Sequence, residues 1–194
     1  MTSQTPDVLI PLIFDNTVLS NFALVQAFDL LQRRYARRAF VCSAVFAEVR
    51  AGVESGWKYP WLHSRTRLQA VDRALESRWL KLADSETEPS DEVVEPRLTY
   101  EYSKRFGACE SESMAIAYCR GWIFASDCCR ARDFAKERSI KVTGSIGILV
   151  KAVTAKAIAL DIADALHARM IDEEYRSPLP YEQGISTYLK RNKL

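Results

Sequence analysis

Two glutamates open an apolar helix in Gly107-Ala108-Cys109-Glu110-Ser111-Glu112-Ser113-Met114-Ala115-Ile116-Ala117, and the chain then turns at Gly121 into Trp122-Ile123-Phe124-Ala125-Ser126-Asp127. The second piece reads as a short strand ending on an aspartate. Strand ends are where an open α/β sheet presents ligand-binding side chains. Carboxylates converging there, with no cation between them in sequence, repel one another unless something positive sits among them. A divalent metal ion is the simplest answer. Asp15, which closes the apolar run Val8 to Phe14, and Glu48, one turn into the helix after Ala39-Phe40-Val41-Cys42, share the same edge. Carboxylates so placed suit a hard, oxygen-loving cation, Mg2+ or Mn2+, held at about 2.0–2.1 Å. Two such ions about 3.5–4 Å apart activate a water and stabilise the leaving oxygen of a phosphodiester.

Each acid also has a plainer role open to it. Asp15 precedes a helix and could serve only as its N-cap. Glu48 lies near an apolar stripe, where a glutamate commonly snorkels to the surface. Glu110 stands close to a helix N-terminus, where the dipole favours a carboxylate. Glu110 and Glu112 are about 200° apart on a regular helix, at about 100° per step. Both can face one cleft only if Glu110 sits in a frayed first turn. The two histidines, His63 and His167, lie outside the acidic set, which argues against a zinc hydrolase. The phosphate-binding motifs G-x-x-x-x-G-K-[ST] and G-x-G-x-x-G do not occur.

The elements that must carry these acids alternate. Strands are expected at Val8 to Phe14 (pairing from Leu12 onward because of Pro11), Ala39 to Cys42, Trp79 to Leu82, Trp122 to Ser126 and Lys141 to Thr143. Helices are expected after Asp15, over Leu24 to Tyr35, over Ala44 to Glu54, from Pro60 through Leu75, over Leu98 to Phe106, after Ala108, over Cys128 to Ser139, and from Gly144 on. The acidic, proline-bearing stretch Asp84 to Pro96 reads as an exposed loop or a loose helix start. Strands alternating with helices predict an α/β fold with a mainly parallel, doubly wound sheet. Residues 1–150 form its core. Residues 151–194 are expected as a helical extension on the same domain, with one helix over Ala152 to Met170 and another over Tyr181 to Lys190.

The net charge of +2 excludes a general polyanion binder, so a nucleic-acid footprint must come from local patches. Arg33, Arg34, Arg37 and Arg38 form the densest basic cluster, and Arg130 and Arg132 follow the last acid. Five cysteines without C-x-x-C spacing read as reduced, mostly buried thiols. No apolar run approaches the roughly 20 residues of a membrane span. The polar Met1 to Asp7 lacks the marks of a signal peptide, so a cytoplasmic protein is expected.

Ile13-Phe14-Asp15-Asn16-Thr17-Val18-Leu19, Glu48, Gly107 to Ser113 and Ser126-Asp127, in that order and spacing, resemble the PIN-domain nucleases. The nearer likeness is to prokaryotic PIN proteins similar to VapC-type toxins, whose third motif reads like G-E-x-E-A. Val142-Thr143-Gly144-Ser145-Ile146-Gly147-Ile148-Leu149 resembles the G-T-L-G-[IV]-L segment of that subgroup. The resemblance implies a three-layer α/β/α fold and an Mg2+-dependent endoribonuclease. By motif position, Asp15, Glu48, Glu110 and Asp127 match the acidic quartet, with Glu112 a second claimant. Thr17 and Ser126 match hydroxyl positions that orient ligands. The sequence departs from the pattern in carrying Ala108-Cys109 between the glycine and the first glutamate, and Cys128 where an aspartate is common. The resemblance further implies RNA as substrate and a small antitoxin protein as partner, and it leaves room for a homodimer. The alternative is a non-catalytic PIN-like module that binds RNA or protein.

Overall fold

Five short apolar runs become five parallel strands: β1 (Leu12–Phe14), β2 (Ala39–Val41), β3 (Leu80–Leu82), β4 (Ile123–Ala125) and β5 (Val142–Thr143). The computed structural model describes residues 9–56, 64–83, 94–180 and 183–192. The strand order is β3-β2-β1-β4-β5, with Leu12 opposite both Ala39 and Ile123. Every residue of β1 and β2 is buried, as expected for strands covered on both faces. Pro11 stays outside the ladder as donor, and its carbonyl accepts the N–H of Ile123. The chain winds outward from β1 through β2 to β3, then returns to lay β4 and β5 on the other side. The crevice between the ends of β1 and β4 is therefore the topological switch point.

Among the described residues the helices are α1 (Asn16–Leu24), α2 (Phe28–Tyr35), α3 (Ser43–Gly56), α4 (Ser64–Glu76), α5 (Val94–Ser103), α6 (Ala108–Arg120), α7 (Cys129–Glu137), α8 (Ser145–Thr154), α9 (Leu160–Asp172) and α10 (Ile185–Asn192). On one face α1 packs against α4, α8 and α9. On the other, α6 lies on β1 and β4 beside α5, and Tyr102 and Phe106 reach Phe134 of α7. This is a three-layer α/β/α arrangement around a wholly parallel sheet. The core holds Phe14, Phe22, Phe124, Met114 and Ile148, all essentially sealed from solvent.

Two expected helices are broken. The span Leu24 to Tyr35 divides at Gln26 (φ 57°), and Ala152 to Met170 divides at Lys156 (φ 55°). In both turns the next N–H reaches back five residues, Ala27 to Phe22 and Ala157 to Ala152, which is the Schellman closure. Neither break carries the glycine that usually marks it, and the apolar spacing runs on past each. Helix α5 starts at Val94, earlier than expected, with Pro96 in its first turn, where a missing N–H costs nothing. Helix α10 begins at Ile185 and packs on α8 and α9. The expected helix start at Pro60 and most of the expected Asp84 to Pro96 loop lie outside the described residues.

All five cysteines are free, but only Cys42 is fully buried; Cys129 is exposed and the other three are half-buried. Among the described residues no helix is long and apolar enough to cross a membrane.

Arg120, the last residue of α6, pins this half of the sheet. Its guanidinium donates to both oxygens of Glu95 on α5 at 3.0 Å and to the carbonyl of Ala83 just past β3 at 2.7 Å. The two side chains are only 6% and 14% exposed. Removing one partner leaves a buried charge uncompensated, so Glu95→Ala should destabilise the protein by about 3 kcal/mol. Urea unfolding reads this directly.

Candidate functional site

An open cavity of about 630 Å3 lies at the carboxyl edge of the sheet, over the switch point. Asp15, Glu48, Glu110 and Asp127 all line it, each delivered by a different element. Asp15 follows β1, Glu48 stands one turn into α3, Glu110 sits in the first turn of α6, and Asp127 follows β4. The cavity wall also carries Thr17, Asn21, Cys109, Cys128, Tyr175 and Arg176.

Asp15 is the innermost acid, 2% exposed. It occupies the N-cap position of α1, yet its side chain makes no capping bond there. Instead its Oδ2 accepts the hydroxyls of Thr17 at 2.8 Å and Ser126 at 2.9 Å. Both hydroxyls also accept backbone N–H groups, Thr17 from Asp127 at 3.1 Å and Ser126 from Cys128 at 3.2 Å. The expected pair of orienting hydroxyls therefore stitches β1 to β4 across the crevice. Burial pushes the Asp15 carboxyl up to about 6 from its ordinary 3.8; the two hydroxyls pull it down and the charge of Glu110 pushes it further up.

Asp127 is held from every side. Its Oδ1 accepts the N–H of Ser145 at 2.8 Å and the phenol of Tyr175 at 3.2 Å. Its Oδ2 accepts the hydroxyl of Ser145 at 2.5 Å and the amide of Asn21 at 2.8 Å. Burial and the charge of Asp127 raise the Tyr175 phenol above its ordinary value, so it stays a donor. Gly144 is required here by close approach: a Cβ would lie 2.6 Å from Asp127 Oδ1. The Gly144-Ser145 pair thus opens α8 and clamps the acid with one turn of chain.

The two glutamates of α6 separate. Glu110 lines the cavity, and its Oε2 accepts the N–H of Gly107 at 3.0 Å, the reach-back half of a capping box. Glu112 does not line the cavity. One of its oxygens takes the N–H and hydroxyl of Ser43, and the other takes the N–H of Ala44 at 2.9 Å. It therefore caps α3, the helix that carries Glu48. Glu48 is exposed and held by the Asn16 amide at 2.7 Å and the Cys109 thiol at 2.8 Å. Burial first, and the bond to Glu48 second, push that thiol up, so it remains a donor.

The basic residues divide as well. Arg33, Arg34, Arg37 and Arg38 lie before β2, at the opposite edge of the sheet. Arg38 donates to the carbonyl of Ile10 and stacks over Tyr35 with Arg34, while Arg33 pairs with Asp29. Arg132 reaches toward Gly144, and Arg130 stands in a recess next to the cavity. Asn21, Ser145, Tyr175 and Arg176 were not singled out by spacing. Asn21 carries a weak signal, one helical turn beyond Thr17, and Ser145 lies in the segment that resembles G-T-L-G-[IV]-L, without a role of its own there. Tyr175 and Arg176 carried none, since a helix break and a whole helix separate them from the other site residues.

The donor chemistry fits a hard divalent cation. The acids present oxygen only, and among the described residues no lysine or arginine forms a salt bridge with any of the four. The spacing is not yet that of an assembled centre: no three His, Cys, Asp or Glu side chains among the described residues are grouped to hold an ion. Glu48 is bonded to Asn16 and Cys109, and Glu110 to the backbone of Gly107.

Asp15 predicts a pH signature without metal. A carboxyl raised to about 6 costs stability wherever it is ionised. The cost is absent near pH 4, grows through the interval up to 6, and is full above it. In EDTA at pH 7.5, Asp15→Asn should unfold at higher urea than the wild type, a gain of about 1–3 kcal/mol. The gain should shrink toward zero as the pH falls to 4.

No curated protein and no solved structure matches the chain. A family model described as a PIN domain matches residues 11–186, a span holding all five strands and all four cavity acids. The chain belongs to the PIN-domain family, a family of nuclease type.

Proposed function

We propose that this protein is an Mg2+- or Mn2+-dependent endoribonuclease acting at the cavity over the switch point. The observation that carries the proposal is four carboxylates from four elements lining one cavity, the deepest of them buried without a cationic partner. Asp15, Glu48, Glu110 and Asp127 would hold the ions. When bound, these supply a Lewis acid and an activated water for phosphodiester hydrolysis.

The chain's own groups do the rest. Thr17 and Ser126 fix the Asp15 carboxylate by one oxygen. Ser145, Asn21 and Tyr175 lock Asp127, so its orientation costs nothing at the moment of reaction. Glu112 is a positioning residue in this scheme, since it fixes the start of α3 and with it Glu48. Glu48 and Glu110 are the adjustable members. That the segment after residue 150 works as one unit with the core is supported by α9, which packs on α1, and by Tyr175 just beyond it, which contacts Asp127. The toxin role, with an antitoxin covering the cavity, and a homodimer are carried by the resemblance alone.

The second reading, an RNA- or protein-binding module that does not cut, is favoured by one observation: Glu48 and Glu110 are engaged elsewhere and form no ready ligand group. Calorimetric titration with Mg2+ at millimolar concentration separates the two, because a module without metal affinity yields no heat of binding.

Cleavage of a labelled RNA should require Mg2+ or Mn2+. Asp15→Asn, Glu110→Gln and Asp127→Asn should each slow it by at least about 100-fold, since even residues that only orient metal ligands are worth 10–100-fold. Glu112→Gln should keep cleavage within about tenfold while lowering stability by about 1 kcal/mol, the usual worth of a helix cap. Cleavage by Asp15→Asn equal to wild type would mean a contaminant and remove the proposal.

A further inference from the structure

A second recess of about 260 Å3 opens beside the acidic cavity and shares Gly107, Glu110 and Cys128 with it. Its outer wall is formed by Arg105, just past α5, and Arg130, in the first turn of α7. Among the described residues neither guanidinium forms a salt bridge. Both rest on one aromatic pair. Phe106 and Phe134 have ring centroids 4.9 Å apart, Arg130 lies over Phe106 at 6.0 Å, and Arg105 lies at 5.8 Å from Phe134, whose ring also carries Arg138 at 3.4 Å. Side chains already resting against aromatic rings lose less freedom when they meet an anion.

We propose that Arg105 and Arg130 form a subsite for the backbone phosphate of single-stranded RNA next to the one being cut. The inference rests on the nuclease reading and gives it a direction of approach. An anion in the recess is kept on the arginine side by the Glu110 carboxylate on the shared wall. A chain anchored there must continue over Gly107 and Cys128 into the acidic cavity. The richer basic cluster, Arg33 to Arg38, is at the far edge of the sheet and takes no part.

The test is binding without chemistry: fluorescence anisotropy of a short labelled polyuridine oligomer, in EDTA, over a series of salt concentrations. Wild-type affinity should fall with salt. Arg105→Ala and Arg130→Ala should each weaken binding roughly tenfold, the scale of a charged hydrogen bond. Each should also lower the slope of log affinity against log salt by about 0.7, the value for one lost phosphate contact on a single strand. Arg37→Ala should bind like the wild type. Melting curves matching the wild type establish that both exposed positions leave the fold intact. If Arg105→Ala and Arg130→Ala bind no worse than Arg37→Ala, the subsite is refuted while the nuclease reading stands. If the wild type shows no salt-dependent affinity for the oligomer, the subsite is refuted, and the nuclease reading is decided separately by the metal-dependent cleavage assay.

Discussion

A carboxylate nearly sealed from water, with only neutral hydrogen-bond donors for partners, is the constraint on which the rest of this molecule turns. Asp15 sits at the end of the central strand, at the one point where the winding of the sheet reverses. Charged groups are rarely buried unless paired or bound to metal. Thr17 and Ser126 lessen the cost without cancelling it, which is why the carboxyl is displaced so far upward. A cation held beside Asp15 would relieve that cost, and this is the physical ground for the proposed metal site.

The supporting structure is built from hydrogen bonds that serve two purposes. Glu110 caps its own helix and lines the cavity. Glu112 caps a different helix and thereby sets where Glu48 stands. Ser145 starts α8 and holds Asp127. Glu110, Glu112 and Ser145 each tie the site to the first turn of a helix. The two acids at strand ends are held by hydroxyl and amide groups of neighbouring elements, and the two on helices by bonds to Gly107, Asn16 and Cys109.

Much of this was legible in the residues. The five strands, the parallel winding and the placement of Asp15 and Asp127 follow from short apolar runs ending on an acid, because a buried strand has little freedom in where it stops. The broken helices were not legible, since Gln26 and Lys156 adopt a left-handed turn with no glycine to announce it. The choice between Glu110 and Glu112 was also hidden. Helical spacing says the two point apart but not which one faces the sheet edge, and that depends on Ser43, a residue far away in sequence. Tyr175 escaped for the same reason: its contact with Asp127 is purely tertiary. The basic cluster at Arg33 to Arg38 drew attention by density alone, and topology carries it to the wrong edge.

The most direct test is crystallographic: crystals soaked in Mn2+, with anomalous difference density collected to locate the ion. The account predicts a peak in the cavity, bound by Asp15 and Asp127, with Glu48 and Glu110 turned inward from Cys109 and Gly107 and with Glu112 still on Ser43. A cavity without anomalous density at saturating Mn2+, or an ion bound through Glu112 in place of Glu110, would contradict it.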